Sequence, residues 1–579
     1  MMQSVGGGRR LLNKKEQEAG IMNFVRVDMT QGRITTEPLP FSPDKLFGGR
    51  AIIDYWMTEY VSPTVHPLSE GNVFIAAPGL LAGTGMPSSG RLSVGGKSPL
   101  TAGIKEANVG GTAGDKLGRL GIQALIVEGK AKGWQILKLD SRGGVLEAAG
   151  DIIGMDNYAA CERLRQRYGN KVSIIIVGPA GEKKYANSTV AVTDGEGRPC
   201  RHAARGGVGA MMGSKFLKAI VIDDTGTSFR KAFDKEAFSA AIKAAVDSIR
   251  SSPYYELLHH SGTPGMIDID NGRGSLPTYN HRRGSFDKFE NINAKRIIEL
   301  NKARGGSMGH GCMPGCAMQC SSIFHDAEGN YLTASLEYET LALLGSNLGI
   351  DDLDAIARMD RKCDGLGLDT IETGCAIGIL NDIGLFDFGD SAMAEGLIQE
   401  IGNGTPMGRI LGNGVVATGT IFGIDRIPAV KGQGIPAHAA RSMKGWGVTY
   451  ATSPQGADHT AGSVVVEILS PLGQVERSRT SQIINAAFDV TGLCHLTFLF
   501  KNPESIMPLV NTFYGMNLTL ADFMEKGKEM LRQERTFNIE AGIGPGSDRL
   551  PDWMRTEPLP PSNAVFDVSQ EEIDQFFNF

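Results

Sequence analysis

A chain of 579 residues is long enough for about three or four domains of ordinary size. Its 41% apolar and 21% charged residues are typical of a globular protein, and a net charge of −6 without a long basic run argues against a nucleic-acid partner. No apolar stretch approaches the roughly 18 residues of a membrane span, and the N-terminus lacks the apolar core of a signal peptide, so we predict a cytoplasmic protein.

The first part of the chain is predicted to be an N-terminal extension followed by a strand-rich domain. We place the extension at residues 1–21 and the domain at residues 22–225. Short apolar runs separated by glycine turns predict strands at 23–29, 72–77, 123–128, 172–177 and 218–223. The chain has 76 glycines, about 13% of its residues against a usual ~7%. They follow no fixed period, which indicates turns and places where backbone approaches a large ligand.

From about Asp234 the apolar residues recur at the spacing of a helix. This spacing predicts helices at 234–249, 337–348, 352–366, 392–401 and 520–535. We divide this part into two domains, residues 226–425 and 426–579, and expect the proline-rich C-terminus to pack as an irregular strap. The predicted fold class is α+β, with a strand-rich N-terminal domain followed by two mainly α-helical domains.

Three cysteines lie within nine residues, Cys312, Cys316 and Cys320, in a segment too rich in glycine and proline for a packed helix. In a reducing compartment, clustered thiols indicate metal binding, and three thiolates plus a distant fourth suit an iron–sulfur cluster. Cys494 is the candidate for the fourth ligand, and a zinc site with four thiolates is the alternative. Of the remaining cysteines, three lie in helical patterns that predict core positions and the last is ambiguous: Cys161, Cys363, Cys375 and Cys200.

The motif Asp-x-x-Gly-Leu occurs twice, from Asp364 to Leu368 and from Asp489 to Leu493. A carboxylate that accepts N–H groups, followed by a glycine that lets backbone come close, suits a flat nitrogen-rich ligand. Two copies indicate two similar ligands related by pseudo-symmetry, whereas the alternative is that each glycine only ends a helix. Because the second copy runs directly into Cys494, we favour the ligand-binding interpretation.

Further motifs extend along the chain: Phe47-Gly-Gly-Arg-Ala, Met86-Pro-Ser-Ser-Gly-Arg-Leu-Ser-Val, Ala107-Asn-Val-Gly-Gly, Arg201-His-Ala-Ala-Arg-Gly-Gly, Leu336-Glu-Tyr-Glu-Thr and Gly456-Ala-Asp-His. With the cysteines and the repeated motif, they resemble the aldehyde ferredoxin oxidoreductase family of tungsten–bispterin enzymes. The resemblance covers about residues 22–560, and its motifs are long and specific.

The resemblance implies a tungstopterin: one metal, usually tungsten and alternatively molybdenum, held by two pyranopterins and buried at the junction of the domains. In this family no protein side chain needs to bind that metal. The resemblance implies that Asp364, Leu368, Asp489 and Leu493 contact the pterins.

The same resemblance implies a magnesium ion and an iron–sulfur cluster. Asn108 and backbone between Arg201 and Ala203 would hold the Mg²⁺ that bridges the two pterin phosphates, consistent with the oxygen ligands that this ion prefers. Arg91 would connect a pterin to the cluster through its guanidinium fork. The ligands of a [4Fe–4S] cluster would be Cys312, Cys316, Cys320 and Cys494.

For the acid–base pair near the metal, the resemblance implies Glu337 and His459. A carboxylate can deprotonate water or the hydrated aldehyde, and an imidazole can polarise the carbonyl group. Glu339 lies two residues further on and is a rival for Glu337.

Two features depart from the family's pattern. The family's commonest spacing is Cys-x-x-Cys-x-x-x-Cys, and the extra residue between Cys312 and Cys316 leaves the cluster type and its potential open. Some members bridge their dimer with an iron held by Glu-x-x-His. The matching positions here are Arg358 and Arg361, so we expect no such iron and leave the oligomeric state open.

The leading hypothesis is an enzyme that oxidises an aldehyde to a carboxylic acid with water as the oxygen source. Its two electrons would leave singly through the cluster to ferredoxin or an iron–sulfur electron-transfer subunit. The alternative enzyme hypothesis is the catalytic subunit of a tungsten-dependent benzoyl-CoA reductase, which reduces an aromatic ring. A non-enzymatic alternative is an electron-relay subunit with a cluster and no tungsten.

Overall fold

The computed structural model describes residues 22–38, 45–334 and 336–579, so the expected N-terminal extension lies outside the described residues. Strands and helices are numbered in chain order. The strands are β1 Asn23–Asp28, β2 Arg33–Pro38, β3 Phe74–Pro78, β4 Leu92–Lys97, β5 Ile104–Val109, β6 Ile122–Glu128, β7 Gln135–Asp140, β8 Gly143–Ala148, β9 Ser173–Ile176, β10 Val190–Val192, β11 Arg201–Ala203, β12 Leu217–Ile222, β13 Ser307–His310, β14 Ser321–His325, β15 Tyr331–Thr333, β16 Ala429–Val430 and β17 Gln433–Gly434.

The helices of the N-terminal domain are α1 Arg50–Tyr60, α2 Ala113–Arg119, α3 Asn157–Tyr168, α4 Pro179–Glu182 and α5 Val208–Ser214. The middle of the chain contains α6 Lys235–Ser251, α7 Pro253–Ser261, α8 Met266–Gly272, α9 Ala294–Arg304, α10 Tyr338–Leu343, α11 Leu353–Leu366, α12 Thr370–Asp382, α13 Ser391–Asn403, α14 Pro406–Gly412 and α15 Gly414–Ile421. The last part contains α16 Lys444–Thr452, α17 Gln474–Asp489, α18 Met507–Tyr514, α19 Leu520–Glu540, α20 Trp553–Thr556 and α21 Gln570–Asp574.

The N-terminal domain contains the same β-unit twice. The first six-stranded sheet has the order β2-β1-β6-β3-β4-β5, and the second has the order β8-β7-β12-β9-β10-β11. In both sheets one pair is parallel, β1 with β6 and β7 with β12, and every other pair is antiparallel. Helices α1 and α3 occupy equivalent places before β3 and β9, as do α2 and α5 before β6 and β12. The domain is therefore pseudo-symmetric.

The two sheets pack face to face around one apolar core, to which both contribute, for example Val94 and Ile175. Helix α1 covers the outer face of the first sheet with Ile52 and Trp56, and helix α3 covers that of the second sheet with Leu164. Burial of both faces explains the continuous apolar runs in the predicted strands.

The fold class is confirmed, because helices dominate after β12. Asp234 and Asp352 are the N-caps of α6 and α11, and each side chain accepts a backbone N–H of the first turn. The helix expected at 337–348 is shorter than predicted: α10 ends at Leu343, and Gly345 interrupts it before a short 3₁₀ turn. The predicted domain boundaries stay predictions.

A small sheet, β13-β14-β15, interrupts the helical part and was not predicted. The cysteine trio lies in the connection between β13 and β14, which agrees with the expected irregular segment. Among the described residues, no helix combines the length and apolar character needed to cross a bilayer.

Candidate functional site

The second Asp-x-x-Gly-Leu motif lies at the N-terminus of helix α1. Arg50, the first residue of that helix, donates from Nη1 to Asp489 Oδ2 at 3.1 Å, and His495 Nε2 lies 2.7 Å from Asp489 Oδ1. Glu534 on α19 accepts Arg50 Nε at 2.8 Å and Nη2 at 2.9 Å. Because Arg50 and Asp489 are 3% and 6% exposed, the carboxylate is held in place by buried charged partners.

The first motif lies at the N-terminus of helix α3 in the same way. Tyr158 Oη donates to Asp364 Oδ2 at 3.1 Å, and His202 Nε2 lies 3.1 Å from Oδ1. Asn157, the first residue of α3, donates from Nδ2 to the Asp364 carbonyl at 2.7 Å. Each aspartate therefore has a histidine on one carboxylate oxygen and a side chain from the equivalent helix on the other.

Each Asp-x-x-Gly-Leu motif contacts the end of a strand through a glycine that follows that strand. A Cβ atom on Gly79, after β3, would lie 2.0 Å from the Gly492 nitrogen, and one on Gly178, after β9, would lie 2.3 Å from the Leu366 carbonyl oxygen. A Cβ there would have to displace backbone, so the two loops approach this closely only because these residues are glycines. The structure thus brings the two motifs to equivalent positions on the two β-units.

Leu368 and Leu493 end the two motifs and are 3% and 1% exposed. Leu368 pairs with Ser188 in an isolated β-bridge, and the Leu493 N–H donates to Thr491 Oγ1 at 3.1 Å. Their contact with a pterin stays a prediction.

The expected magnesium ligands lie where the two β-units meet. Asn108 is on β5 and the segment Arg201–Ala203 is β11, and these are the equivalent edge strands of the two sheets, which pack against each other. Among the described residues, the buried Asn108 Oδ1 accepts no hydrogen bond. A carboxamide oxygen left free beside main-chain carbonyl groups fits a hard cation such as Mg²⁺.

The four predicted cluster ligands lie close enough to affect one another's pKa, and one serine joins the two loops that carry them. Ser88 accepts the Cys494 N–H on its carbonyl oxygen at 2.9 Å, and its Oγ accepts the Ala317 N–H at 2.9 Å. It therefore ties the loop of the fourth cysteine to the loop of the trio. All four thiols are free, and Cys320 and Cys494 are 9% and 6% exposed.

The electrostatics differ among these four thiols. A hydrogen bond from Cys316 lowers the pKa of Cys312 to about 6, with help from Arg201 and Arg91 and against the effect of burial. Cys312 is thus ready to be a thiolate. The hydrogen bond with Cys312 raises the pKa of Cys316, and burial raises those of Cys320 and Cys494. A bound cation would favour the thiolate forms of these groups.

Arg91 lies between the second motif and the cysteines. Its N–H donates to the Gly492 carbonyl at 3.1 Å, and a Cβ atom placed on Gly110 would lie 3.2 Å from Arg91 Nη1 and 3.3 Å from Cys312 Sγ. Among the described residues, the buried Arg91 Nε and Arg201 Nε have no hydrogen-bond partner. Buried guanidinium donors without partners fit a bound anionic group, such as a pterin phosphate or a cluster sulfide.

The structure separates the two rival glutamates. Glu339 Oε1 lies 3.7 Å from His459 Nε2, and its Oε2 accepts the Ala437 N–H at 2.8 Å. Glu337 instead accepts a hydrogen bond from the Thr263 hydroxyl. Its charge raises the pKa of Arg201 and of Cys320. The geometry therefore favours Glu339 over Glu337 as the partner of His459.

His459 has a polar environment that prepares it for acid–base work. Burial lowers its pKa, while the charges of Glu339 and Asp458 oppose that change. Among the described residues, the buried His459 Nδ1 and Glu339 Oε1 accept or donate no hydrogen bond, so both are available to a ligand.

Sequence reasoning missed several residues around the site. Arg50 lies within one of the quoted motifs, and His202 and His495 are each next to a residue assigned to the site. Their position in the sequence could therefore have identified all three as candidates. His438 and its partner Asp270 lie in no motif that we recognised. Nothing local in the sequence indicates that these two meet.

Comparison with known proteins identifies the family. The family model of the aldehyde ferredoxin oxidoreductase N-terminal domain matches residues 24–224, and that of domains 2 and 3 matches residues 240–579. The tungsten-containing aldehyde ferredoxin oxidoreductase of Pyrococcus furiosus is 31% identical over 572 residues, which is 93% of this chain and 92% of the relative. The aliphatic sulfonate oxidoreductase WOR-like subunit of the same organism is 25% identical, covering 89% of this chain and 85% of the relative.

A solved structure shares the fold. It is the BamBC active-site complex of benzoyl coenzyme A reductase with 1,5 dienoyl-CoA, at a TM-score of 0.80, 19% identity, and coverage of 97% of this chain and 94% of that chain. At this identity the match shows only the architecture, and the function has to be argued from the residues of the site. Because the two family models together match nearly the whole described chain, the protein belongs to the aldehyde ferredoxin oxidoreductase family of oxidoreductases.

Proposed function

We propose that this chain is a tungsten enzyme that oxidises an aldehyde with water to a carboxylic acid, releasing two protons and two electrons. The observation that carries the proposal is the pair of equivalent half-sites at Asp364 and Asp489, with four cysteines beside the second one. The P. furiosus relative, whose name includes tungsten and aldehyde, supports both the metal and the substrate class.

The residues fit the expected cofactors. Asp364 and Asp489 would accept N–H groups from two pterins, and Asn108 with the β11 backbone would hold Mg²⁺. The four cysteines would hold a [4Fe–4S] cluster, and Arg91 would supply guanidinium donors to the anionic groups of these cofactors. When bound, the tungstopterin would take two electrons from the substrate and the cluster would release them singly.

Glu339 and His459 would move the protons. Glu339 Oε1 has no hydrogen-bond donor among the described residues, so it is free to take a proton from water or from the hydrated aldehyde. His459, whose pKa is lowered by burial, would be uncharged and would donate one N–H to the carbonyl oxygen. A charged His459 would instead form an ion pair with Glu339 and weaken it as a base.

The first experiment is elemental analysis of anaerobically purified protein, together with aldehyde oxidation coupled to a viologen dye. We expect tungsten or molybdenum, about four irons per chain, and reduction of the dye by an aldehyde. Iron without tungsten or molybdenum would exclude an enzyme of this kind. Tungsten without aldehyde oxidation would favour the aromatic-ring reductase hypothesis, which the shared fold with the benzoyl coenzyme A reductase complex permits.

A matched pair of variants tests the assignment of the base. Glu339→Gln should lower kcat by about 10²–10⁴-fold, because the amide cannot take a proton. Glu337→Gln, two residues away, should keep most of the activity and full metal content. If Glu337→Gln lost more activity than Glu339→Gln, the base would be Glu337, the residue that the sequence resemblance implied.

The electron acceptor is also a proposal. We propose ferredoxin or an iron–sulfur subunit as the acceptor, since the exposed Pro314 and Gly315 place the cysteine loop at the surface. Reduction of purified ferredoxin by aldehyde and this protein, without dye, would test the acceptor.

A further inference from the structure

A second histidine lies behind the His459–Glu339 pair. His438 follows strand β17 and is 7% exposed, and Asp270 on helix α8 is fully buried. His438 Nδ1 lies 2.6 Å from Asp270 Oδ2. This short contact between two buried groups is a charge-assisted hydrogen bond.

Aromatic side chains hold the His438 ring in place. It stacks on Tyr338 with ring centroids 5.0 Å apart and packs against Trp446 at 4.3 Å. Tyr338 Oη also donates to Asp270 Oδ2 at 2.6 Å. The His438 ring centroid is thereby fixed 6.5 Å from that of His459.

Asp270 favours a positive charge on the imidazole of His438, near His459. Burial lowers the pKa of His438, but the charge of Asp270 and its hydrogen bond outweigh burial and raise it. The charged groups that act on the pKa of His438 are Asp270, Glu339 and Arg273. Those that act on the pKa of His459 are Glu339, Asp458, His438 and Arg205.

We propose that the His438–Asp270 pair is a positioning element that keeps His459 uncharged, so that His459 donates a hydrogen bond to the substrate while Glu339 stays free as the base. This inference rests on the proposed function. We class His438 as a positioning residue and not a catalytic one, because its neighbours are Tyr338 and His459 and it acts through His459. The distance allows it to act through its charge rather than by contact with the substrate.

The pH dependence of kcat/KM tests the proposal in the loaded enzyme. His438→Gln should move the acid limb of the profile to higher pH, because His459 and Glu339 would each keep a proton to higher pH without the nearby positive charge. The expected shift is about one pH unit or more, which is the effect of one charge at about 6.5 Å with an effective dielectric constant near 20. Asp270→Asn should move the limb in the same direction, because His438 loses its charge without its partner. If Asp270 acted only as a remote carboxylate, its removal would move the limb to lower pH. His260→Gln, at an exposed histidine on α7, is the matched control and should leave the limb unchanged.

A second measurement separates this inference from the proposed function and needs only the natural sequence. In ¹⁵N-histidine-labelled holoenzyme, both ring nitrogens of His438 should stay protonated through the neutral range while His459 carries one proton. A neutral His438, or an unmoved acid limb in both variants, would overturn the proposal. Absence of aldehyde oxidation in the natural enzyme would overturn the proposed function instead. The nuclear magnetic resonance measurement would still show whether His438 is charged, because it does not depend on activity.

Discussion

Replacement of Arg50 by Met tests whether the second half-site depends on a buried charge network. The Arg50 guanidinium contacts the buried carboxylates of Glu534 and Asp489; the exposed fractions of the three side chains are 4%, 0% and 8%. Asp54 is also buried beside them, and among the described residues neither of its oxygens has a hydrogen-bond partner. Methionine fills much of the same volume but supplies no positive charge, so several carboxyl groups would remain together in a dry interior.

The expected cost follows from the geometry. Removing one partner of a buried ion pair destabilises a protein by about 3–5 kcal/mol, because the remaining charge is uncompensated. Protonation of the carboxyl groups would limit that cost at low pH. The variant should therefore lose stability as pH rises, since its native state would hold protons that the unfolded state has released.

Thermal unfolding of the holoenzyme at several pH values is the assay, with Arg26→Met as the control. Arg26 forms an ion pair with Glu128 at 2.8 Å, but the two side chains are 38% and 31% exposed. An exposed pair contributes only about 0–1 kcal/mol, so the control should melt close to the natural protein. If Arg50→Met unfolds as the control does, with no dependence on pH, the network does not hold the second motif.

Three further predictions concern the cluster, the close approach of backbone, and pH. Cys316→Ala should remove the iron and the visible absorbance of the cluster, whereas Cys161→Ala, at a core position, should keep both; equal iron in the two would exclude Cys316 as a ligand. Gly79→Ala should destabilise the protein by about 1–3 kcal/mol or more and lower its tungsten content, because the new Cβ would lie 2.0 Å from backbone. Gly133→Ala, with no atom within 4 Å of the new Cβ, is the control, and a similar loss there would refute the steric argument. Burial, with a neighbouring carboxylate, raises the pKa of Glu106 to about 8, so the folded state keeps a proton that the unfolded state releases above about 4.5, and stability should fall with rising pH in that window. Glu106→Gln should flatten the dependence of the unfolding temperature on pH, and an unchanged slope would contradict this account.

Local patterns predicted only part of the secondary structure, the elements whose side-chain pattern has a local cause. Apolar runs between glycine turns marked β1, β3, β6, β9 and β12, and apolar residues at helical spacing marked α6 and α11. The small sheet β13-β14-β15 escaped prediction because its strands are short and surround the cysteine loop. Side-chain spacing carries little information over three to five residues.

Motifs also identified the cysteines and the two aspartates as candidates for the site, because thiolates and carboxylates have characteristic ligand chemistry that can be recognised from the sequence. The extra residue between Cys312 and Cys316 is accommodated within a loop in which Gly315 adopts φ 67°. Glycine takes that backbone conformation without strain, and Ser88 still joins the loop of the trio to the loop of Cys494.

The sequence by itself determined the fold class and the family resemblance, and it singled out the four cysteines and the repeated Asp-x-x-Gly-Leu motif as candidates for the site. Only the tertiary structure decided which glutamate meets His459. Glu337 is the N-cap of helix α10 and Glu339 lies in its first turn. Glu337 has extended backbone (φ −83°, ψ 159°) before the helix begins, so its side chain leaves the chain in a different direction from that of Glu339, and only Glu339 lies beside His459. That choice, and the meeting of His438 with Asp270 across 168 residues, depends on how α10, α8 and the loop after β17 pack together.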